Sequence, residues 1–211
     1  MRDYSSMSSS ELIKLYVPDV YQKTVYHIDY RRLKLAGIKF ISFDVDDTIA
    51  MAEEAIPPDE TIILFNNLKR MGFQLAMLSN NKSRMRADIF SSMLNTDYIP
   101  DAEKPENTAF QGCRNLYYLK HGIWLRPSQM AHVGNNLIND ISGGNAFGTI
   151  TCMVRRMGNL AKPFHSPFTS ESHALREVLK ERGIWRKHHM YEWHDQYYQL
   201  GELPSYMTMK F

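Results

Sequence analysis

The chain has 211 residues, 44% hydrophobic and 23% charged, with a formal net charge of +2. That length supports one sizeable core and falls short of two comfortable domains, and the near-neutral balance gives no reason to expect nucleic acid as a partner. No apolar run approaches the roughly 18 residues of a membrane span, and "MRDYSSMSSSELIKLY" lacks the apolar stretch of a secretory signal, so the expected location is cytoplasmic, at most peripheral to a membrane.

In chain order, Ser8, Ser9 and Ser10 ahead of Glu11 resemble a helix start. "ELIKLYVPDVYQKTVYHI" is then apolar and aromatic at loose helical spacing, broken by Pro18. It reads as an N-terminal extension, residues 1–37, packed on the domain; the competing reading lays it on a membrane surface. From Ile38 a βα alternation sets in. Ile38–Phe43 is a strand largely apolar on both faces. "PPDETIILFNNLKRMG" is a helix with proline at its start and Gly72 at its end. "FQLAMLS" is a strand, "KSRMRADIFSSML" a helix and "DYIP" a short strand. "ENTAFQGCRNLYYLKHG" is a helix closed by Gly122. "QMAHVG" is a strand, "LINDISGGNAFG" a short helix, "TITCMVRR" a strand and "SESHALREVLKERG" a last helix.

Strands alternating with helices imply an α/β domain over 38–186, a parallel sheet flanked by helices. Cys113 and Cys152 stand in no metal or redox spacing and fit a reducing compartment. Residues 187–211 form a tail rich in Tyr and His. His188, His189 and His194 satisfy no ligand spacing, and the tail reads as an aromatic segment that docks on the domain or is partly disordered.

"FDVDDTIA", Phe43 to Ala50, places Asp44, Asp46 and Asp47 just past the first strand of the alternation. Three carboxylates in four residues need a compensating partner, most simply a divalent cation, or a solvated turn where repulsion is weak. Three further polar groups follow later strands: Ser79 and Asn80 in "LSNN", Lys104 in "EKP", and Asn135 and Asp140 in "VGNNLIND". Parallel strands bring such ends together, which is where open α/β sheets bind ligands. The assembled site would offer carboxylates for Mg²⁺, a hydroxyl and amides for phosphate oxygens, and a lysine for the remaining negative charge.

With its proline-containing N-terminal segment and its "DISGGNAFG" ending, this set of motifs resembles the haloacid dehalogenase (HAD) superfamily. More narrowly it is similar to subfamily IIIA and its YqeG-type group, related to phosphatidylglycerophosphate phosphatases. The resemblance spans roughly Leu12 to Gly183. It implies a HAD-like (Rossmannoid) fold and an Mg²⁺-dependent phosphatase working through an aspartyl-phosphate. Asp44 would attack phosphorus, and Asp46 would protonate the leaving oxygen and then activate water. Thr48, Ser79, Asn80 and Lys104 would hold the phosphoryl group, Lys104 also serving the nucleophile. Asp44, the Asp46 carbonyl and Asn135 would hold the metal, with Asp140 near it.

Three residues depart from the family pattern. Asn135 stands where the pattern has a metal-binding Asp, Asp47 where it usually has Asn, and Glu103 where a basic residue is common. An amide oxygen can still ligate a hard cation, without the charge. Three readings stay open: an enzyme with weaker metal binding, one with a re-tuned metal, and an inactive HAD-fold binding protein. About 30 residues join Thr48 to Ser79 and about 25 join Ser79 to Lys104, each consumed by one helix and short connections. That leaves no room for a cap domain. An open site suits a large phosphoester such as a lipid head group, which would bring peripheral membrane contact.

Overall fold

The computed structural model describes residues 3–157 and 170–184. The tail expected at 187–211, with its three histidines, lies outside the described residues. The elements run α1 (Ser9–Tyr16), β1 (Val20–Gln22), α2 (Tyr30–Leu35), β2 (Phe40–Phe43), α3 (Asp59–Arg70), β3 (Gln74–Leu78), α4 (Arg84–Leu94), β4 (Asp97–Ile99), α5 (Asn107–His121), β5 (Met130–Gly134), a π-helical turn (Leu137–Ser142) running into α6 (Gly143–Phe147), β6 (Ile150–Val154) and α7 (Ser170–Glu181). Six strands form one sheet in the order β1-β6-β5-β2-β3-β4, every pairing parallel.

The order places the site. From β2 the chain steps through β3 and β4 to one edge. It then returns to the other flank of β2 with β5. The carboxyl ends of β2 and β5 therefore bound the crevice where the winding reverses, the usual ligand position in such sheets. Registers of Phe43 with Val133 and of Phe43 with Met77 bring Asp44 level with Gly134 and Leu78.

Both faces are covered, which is why the strands read as apolar on both sides. On one, Leu64, Phe65 and Leu68 of α3 and Phe90 of α4 pack on Ile41, Phe43 and Met77; on the other, Phe110 and Cys113 of α5 pack on Phe40, Ala76 and Met130. The segment between Thr48 and Ser79 holds α3 and β3, and that between Ser79 and Lys104 holds α4 and β4; neither contains a cap domain.

The N-terminal segment packs on the domain. Its helix starts where expected, with Ser8 and Glu11 closing a capping box. Its second half departs from the helical reading. Val20–Gln22 is an edge strand paired with Cys152–Val154 of β6. Pro18 stops the helix, and Val-Tyr then suits a strand better than a second helix. The described part of this segment, residues 3–37, is thus tied to the domain through an edge strand of the sheet. Among the described residues no helix is long and apolar enough to cross a membrane.

Candidate active site

Asp44 follows β2 directly, its N–H donating to the Val133 carbonyl at 2.8 Å. The next residues turn tightly, with the N–H groups of Thr48, Ile49 and Ala50 all directed at the Val45 carbonyl. Asp47 takes a left-handed conformation (φ 58°) in that turn, which Asp tolerates better than most side chains. The turn brings Thr48 back over the strand end, where its hydroxyl donates to Asp44 Oδ2 at 2.8 Å.

Lys104 Nζ lies 2.6 Å from Asp44 Oδ1 and 2.6 Å from Asp140 Oδ1. The lysine is held from behind: the Asn80 side chain accepts from the Lys104 N–H at 2.8 Å and donates to its carbonyl at 2.9 Å. Asp140 is 1% exposed, and its carboxylate is held on both oxygens. Besides Lys104, it accepts from the Asn136 N–H at 2.9 Å and pairs with His132 Nε2 at 3.1 Å. The Asp140 carboxylate can only accept, so the ring carries its proton on Nε2 and gives it to Asp140, while Nδ1 meets Ser42 Oγ at 2.9 Å. A Cβ on Gly134 would stand 2.2 Å from the Asp140 carboxyl carbon, so only glycine admits this carboxylate.

Burial sets the protonation of this group and charge corrects it. Burial raises Asp44 and Lys104 opposes it; the carboxyl ends at about 6. Burial also works against Asp140, but Lys104 and His132 outweigh it and hold the group well below the usual carboxylate range. Burial opposes the Lys104 charge in turn, and Asp140 and Asp44 more than restore it. His132, buried, is pushed down and stays neutral.

The other two carboxylates have arginine partners. Asp46 is ion-paired with Arg86 of α4, and Asp47 with Arg156 just beyond β6. Ser79 Oγ and Asn81 Nδ2 approach Asp46 Oδ2 at 3.4 Å each. Asp44, Asp46, Asp47 and Asp140 thus face Lys104, Arg86 and Arg156: four negative charges against three positive. The chain's own cations answer most of the repulsion that the Asp-rich stretch poses.

All eight expected site residues converge at this strand-end crevice. The Thr48 hydroxyl donates to Asp44 within the turn, and the Asn80 side chain holds the Lys104 backbone. Asp140 meets Lys104 and His132 on one oxygen and the Asn136 N–H on the other. Sequence reading missed Arg86, Arg156 and His132. Arg86 and His132 carry a usable signal: Arg86 shares the inner face of α4 with Ala87, Phe90 and Leu94, and His132 is 0% exposed within an apolar strand. A charged or polar side chain on such a face implies a buried partner.

Among the described residues no three His, Cys, Asp or Glu side chains are grouped as metal ligands. A mixed oxygen set does fit Mg²⁺. Asn135 Nδ2 lies 2.9 Å from the Asp46 carbonyl and donates to it. A half-turn of the amide would put Oδ1 in that place. Two oxygens 2.9 Å apart match one edge of an Mg²⁺ octahedron, about 3.0 Å for bonds of about 2.1 Å. The Asp44 carboxylate beside them would supply the charge.

Over residues 12–148 the chain matches the family model described as a haloacid dehalogenase-like hydrolase. It is 31% identical over 144 residues to "Probable phosphatase YqeG" of Bacillus subtilis (strain 168), covering 68% of this chain and 79% of that protein. It is 25% identical over 158 residues to phosphatidylglycerophosphate phosphatase 1, chloroplastic, of Chlamydomonas reinhardtii, covering 71% of this chain and 56% of that protein. A solved structure of 3-deoxy-D-manno-octulosonate 8-phosphate phosphatase from Moraxella catarrhalis aligns with a TM-score of 0.41 at 19% identity, over 72% of this chain and 92% of that one.

Proposed function

The chain belongs to the haloacid dehalogenase-like hydrolase family, and from that premise we propose that it is a phosphatase hydrolysing phosphomonoesters through an aspartyl-phosphate on Asp44. The observation that carries the reading is the placement of Asp44. It sits at the reversal of the sheet, its carboxylate fixed by Thr48 on one oxygen and Lys104 on the other. A nucleophile needs that orientation, and the Lys104 charge stabilises the anion as it approaches phosphorus.

In the first step an Asp44 oxygen forms a bond to phosphorus as the ester P–O bond breaks. Asp46, at the mouth, enters this step protonated and gives the departing oxygen that proton. In the second step water attacks phosphorus and yields its proton to Asp46. The acyl-phosphate P–O bond breaks, inorganic phosphate leaves and the Asp44 carboxylate returns. Lys104 neutralises charge on the phosphoryl oxygens throughout, and Ser79 lines the same mouth. Asp140 acts through Lys104, holding the ammonium between the two carboxylates. Mg²⁺, when bound, would be held by the Asp44 carboxylate, the Asp46 carbonyl and the Asn135 amide oxygen, and would supply further charge neutralisation for the phosphoryl group.

The capless crevice suits a large or surface-presented phosphoester, and the name of the Chlamydomonas relative makes phosphatidylglycerophosphate the first substrate to try. The rival reading, an inactive HAD-fold binding protein, draws on Asn135, which withholds a charge from the cation. Hydrolysis of 4-nitrophenyl phosphate across an Mg²⁺ titration decides between them: metal-dependent turnover that Asp44→Asn abolishes supports the enzyme. No turnover at any metal concentration supports the rival.

A further inference from the structure

Arg86 belongs to none of the strand-end motifs, yet it is 8% exposed and directed into the site. It projects from the first turn of α4, and its guanidinium carbon lies 4.8 Å from the Phe90 ring centroid. Three of its nitrogens reach three parts of the crevice wall. Nη1 pairs with Asp46 Oδ1. Nη2 donates to the Met51 carbonyl at 3.0 Å and Nε to the Glu54 carbonyl at 2.9 Å. Those two carbonyls belong to the loop that leaves the Asp-rich turn, a lip that the shared guanidinium keeps beside the Asp46 carboxylate. The loop is closed on itself, the Met51 N–H donating to Glu54 Oε2 at 2.7 Å. One rigid, planar fork therefore fixes the lip and the Asp46 carboxylate to the same helix, which the compact ammonium of a lysine could not do.

We infer that Arg86 is a positioning residue for the proton-transfer carboxylate. It sets where Asp46 stands relative to phosphorus, and it makes that position depend on the 51–54 lip against which a leaving group rests. The inference rests on the proposed phosphatase reading and goes beyond it, because it assigns a role to a residue outside the strand-end motifs. Arg86 acts through Asp46 and does not bind the phosphoryl group, since its three contacts leave the fork facing the lip.

The role gives a signature that a structural or phosphate-binding arginine would not. An aryl phosphate releases a stable phenolate and needs little help from a proton donor; an alkyl phosphate needs that help. Arg86→Gln should lower kcat/KM for an alkyl phosphate by about 10²-fold, the scale of a misplaced catalytic group. The kcat/KM for 4-nitrophenyl phosphate should change by only about twofold, the same ratio expressed with little dependence on Asp46. On the aryl substrate kcat should fall, and acid-quenched phosphoenzyme should accumulate, because water attack still needs Asp46. Arg86→Lys, which keeps the charge and loses the fork, should lie between. Equal losses on both esters, or a rise confined to KM, would overturn the assignment. So would a lowered Tm with wild-type partitioning. If the Gln variant does not fold, the Lys variant carries the same test: a smaller split in the same direction supports the role, and wild-type partitioning removes it. A wild type that hydrolyses neither ester removes the phosphatase reading and this inference together. An active wild type with unaffected Arg86 variants removes the inference alone.

Discussion

At the carboxyl end of β2 the buried side chains are charged; at the β1 edge they are aromatic and aliphatic. In the crevice, Asp44, Lys104 and Asp140 exclude water from one another and are held by short ion pairs. At the edge, Tyr4, Leu12, Tyr16 and Tyr21 close over Leu137, Ile141 and Met153, joined by Leu175 and Leu179 of α7. Polar links there only align the pieces: Asn145 donates to the Leu15 and Val17 carbonyls at 3.0 Å each, and Asp19 accepts from the Thr151 N–H at 2.8 Å. The difference teaches what each region is for. A paired buried charge is a poor source of net stability but a precise holder of geometry, whereas apolar burial stabilises without demanding a single orientation. Substitutions in the two regions should therefore separate activity from stability.

The sharpest break comes from Asp44→Asn. Shape is kept and the attacking charge is lost, so kcat should fall about 10⁴-fold or more. Because burial already opposes the Asp44 charge, the melting temperature should stay close to wild type. Steady-state assay and thermal denaturation on the same sample check both halves. A variant with more than about a tenth of wild-type turnover would remove Asp44 as nucleophile.

Next comes Lys104→Met, which should strike both properties. It leaves Asp44 and Asp140 buried together without their cation, at a cost of about 3–5 kcal/mol. The pH dependence has a definite sign. In the wild type, Asp140 is held below its unfolded value, so its contribution is present above about pH 4 and is lost as pH falls through the folded value. Asp44 is raised to about 6; its contribution is fully present below about pH 4 and is lost as pH rises through 6. Without Lys104 both carboxyls move to the raised side. The variant's deficit should therefore be greatest at pH 7.5 and shrink by pH 5. Urea melts at the two pH values measure it, and a deficit that grows on acidification would break the charge account.

Leu12→Ala tests the other region. Leu12 is 0% exposed in the α1 seam. Its truncation should cost about 2–5 kcal/mol of unfolding free energy with kcat and KM unchanged. A fall in kcat without loss of stability would mean that the N-terminal segment communicates with the crevice.

The contrast also explains what the sequence disclosed. The βα alternation was legible because the central strands β2, β3 and β5 are buried on both faces and each helix ends on Gly or an equivalent stop. The four strand-end motifs were legible because site residues in a parallel sheet must sit at strand ends. The β1 strand was not, since three residues after Pro18 carry too little periodicity to distinguish an edge strand from a frayed helix. Nor were the partners of the carboxylates. Arg86 and Arg156 lie 40 and 109 positions from the aspartates they meet, and nothing local to "DVDDT" names them. Asp140 likewise pairs with Lys104, 36 positions away, a partner that nothing local to "VGNNLIND" names.

The smallest expected effect lies at Asn135, where the two means of holding the crevice meet. Its amide donates to the Asp46 carbonyl at 2.9 Å, so an uncharged hydrogen bond occupies the edge that a metal would otherwise bridge. Asn135→Asp replaces that donor by an oxygen with nothing to give. Without metal, the carboxylate faces a carbonyl and adds a fifth negative charge to a group that holds three cations. The variant should lose about 1–2 kcal/mol, the scale of a lost hydrogen bond plus an uncompensated acceptor. A divalent cation would reverse the sign of the same contact, since both oxygens could then hold one cation. Mg²⁺ should accordingly raise the melting temperature of Asn135→Asp more than that of the wild type, and turnover should reach half its maximum at lower Mg²⁺. At saturating Mg²⁺ the two kcat values should converge, because occupancy alone has changed. Thermal melts with and without Mg²⁺ read the first effect in the absence of any substrate, and a rate titration reads the second. If Mg²⁺ shifts both proteins equally in both measurements, residue 135 does not touch the cation, and the Asn135–Asp46 hydrogen bond is a fixed part of the wall.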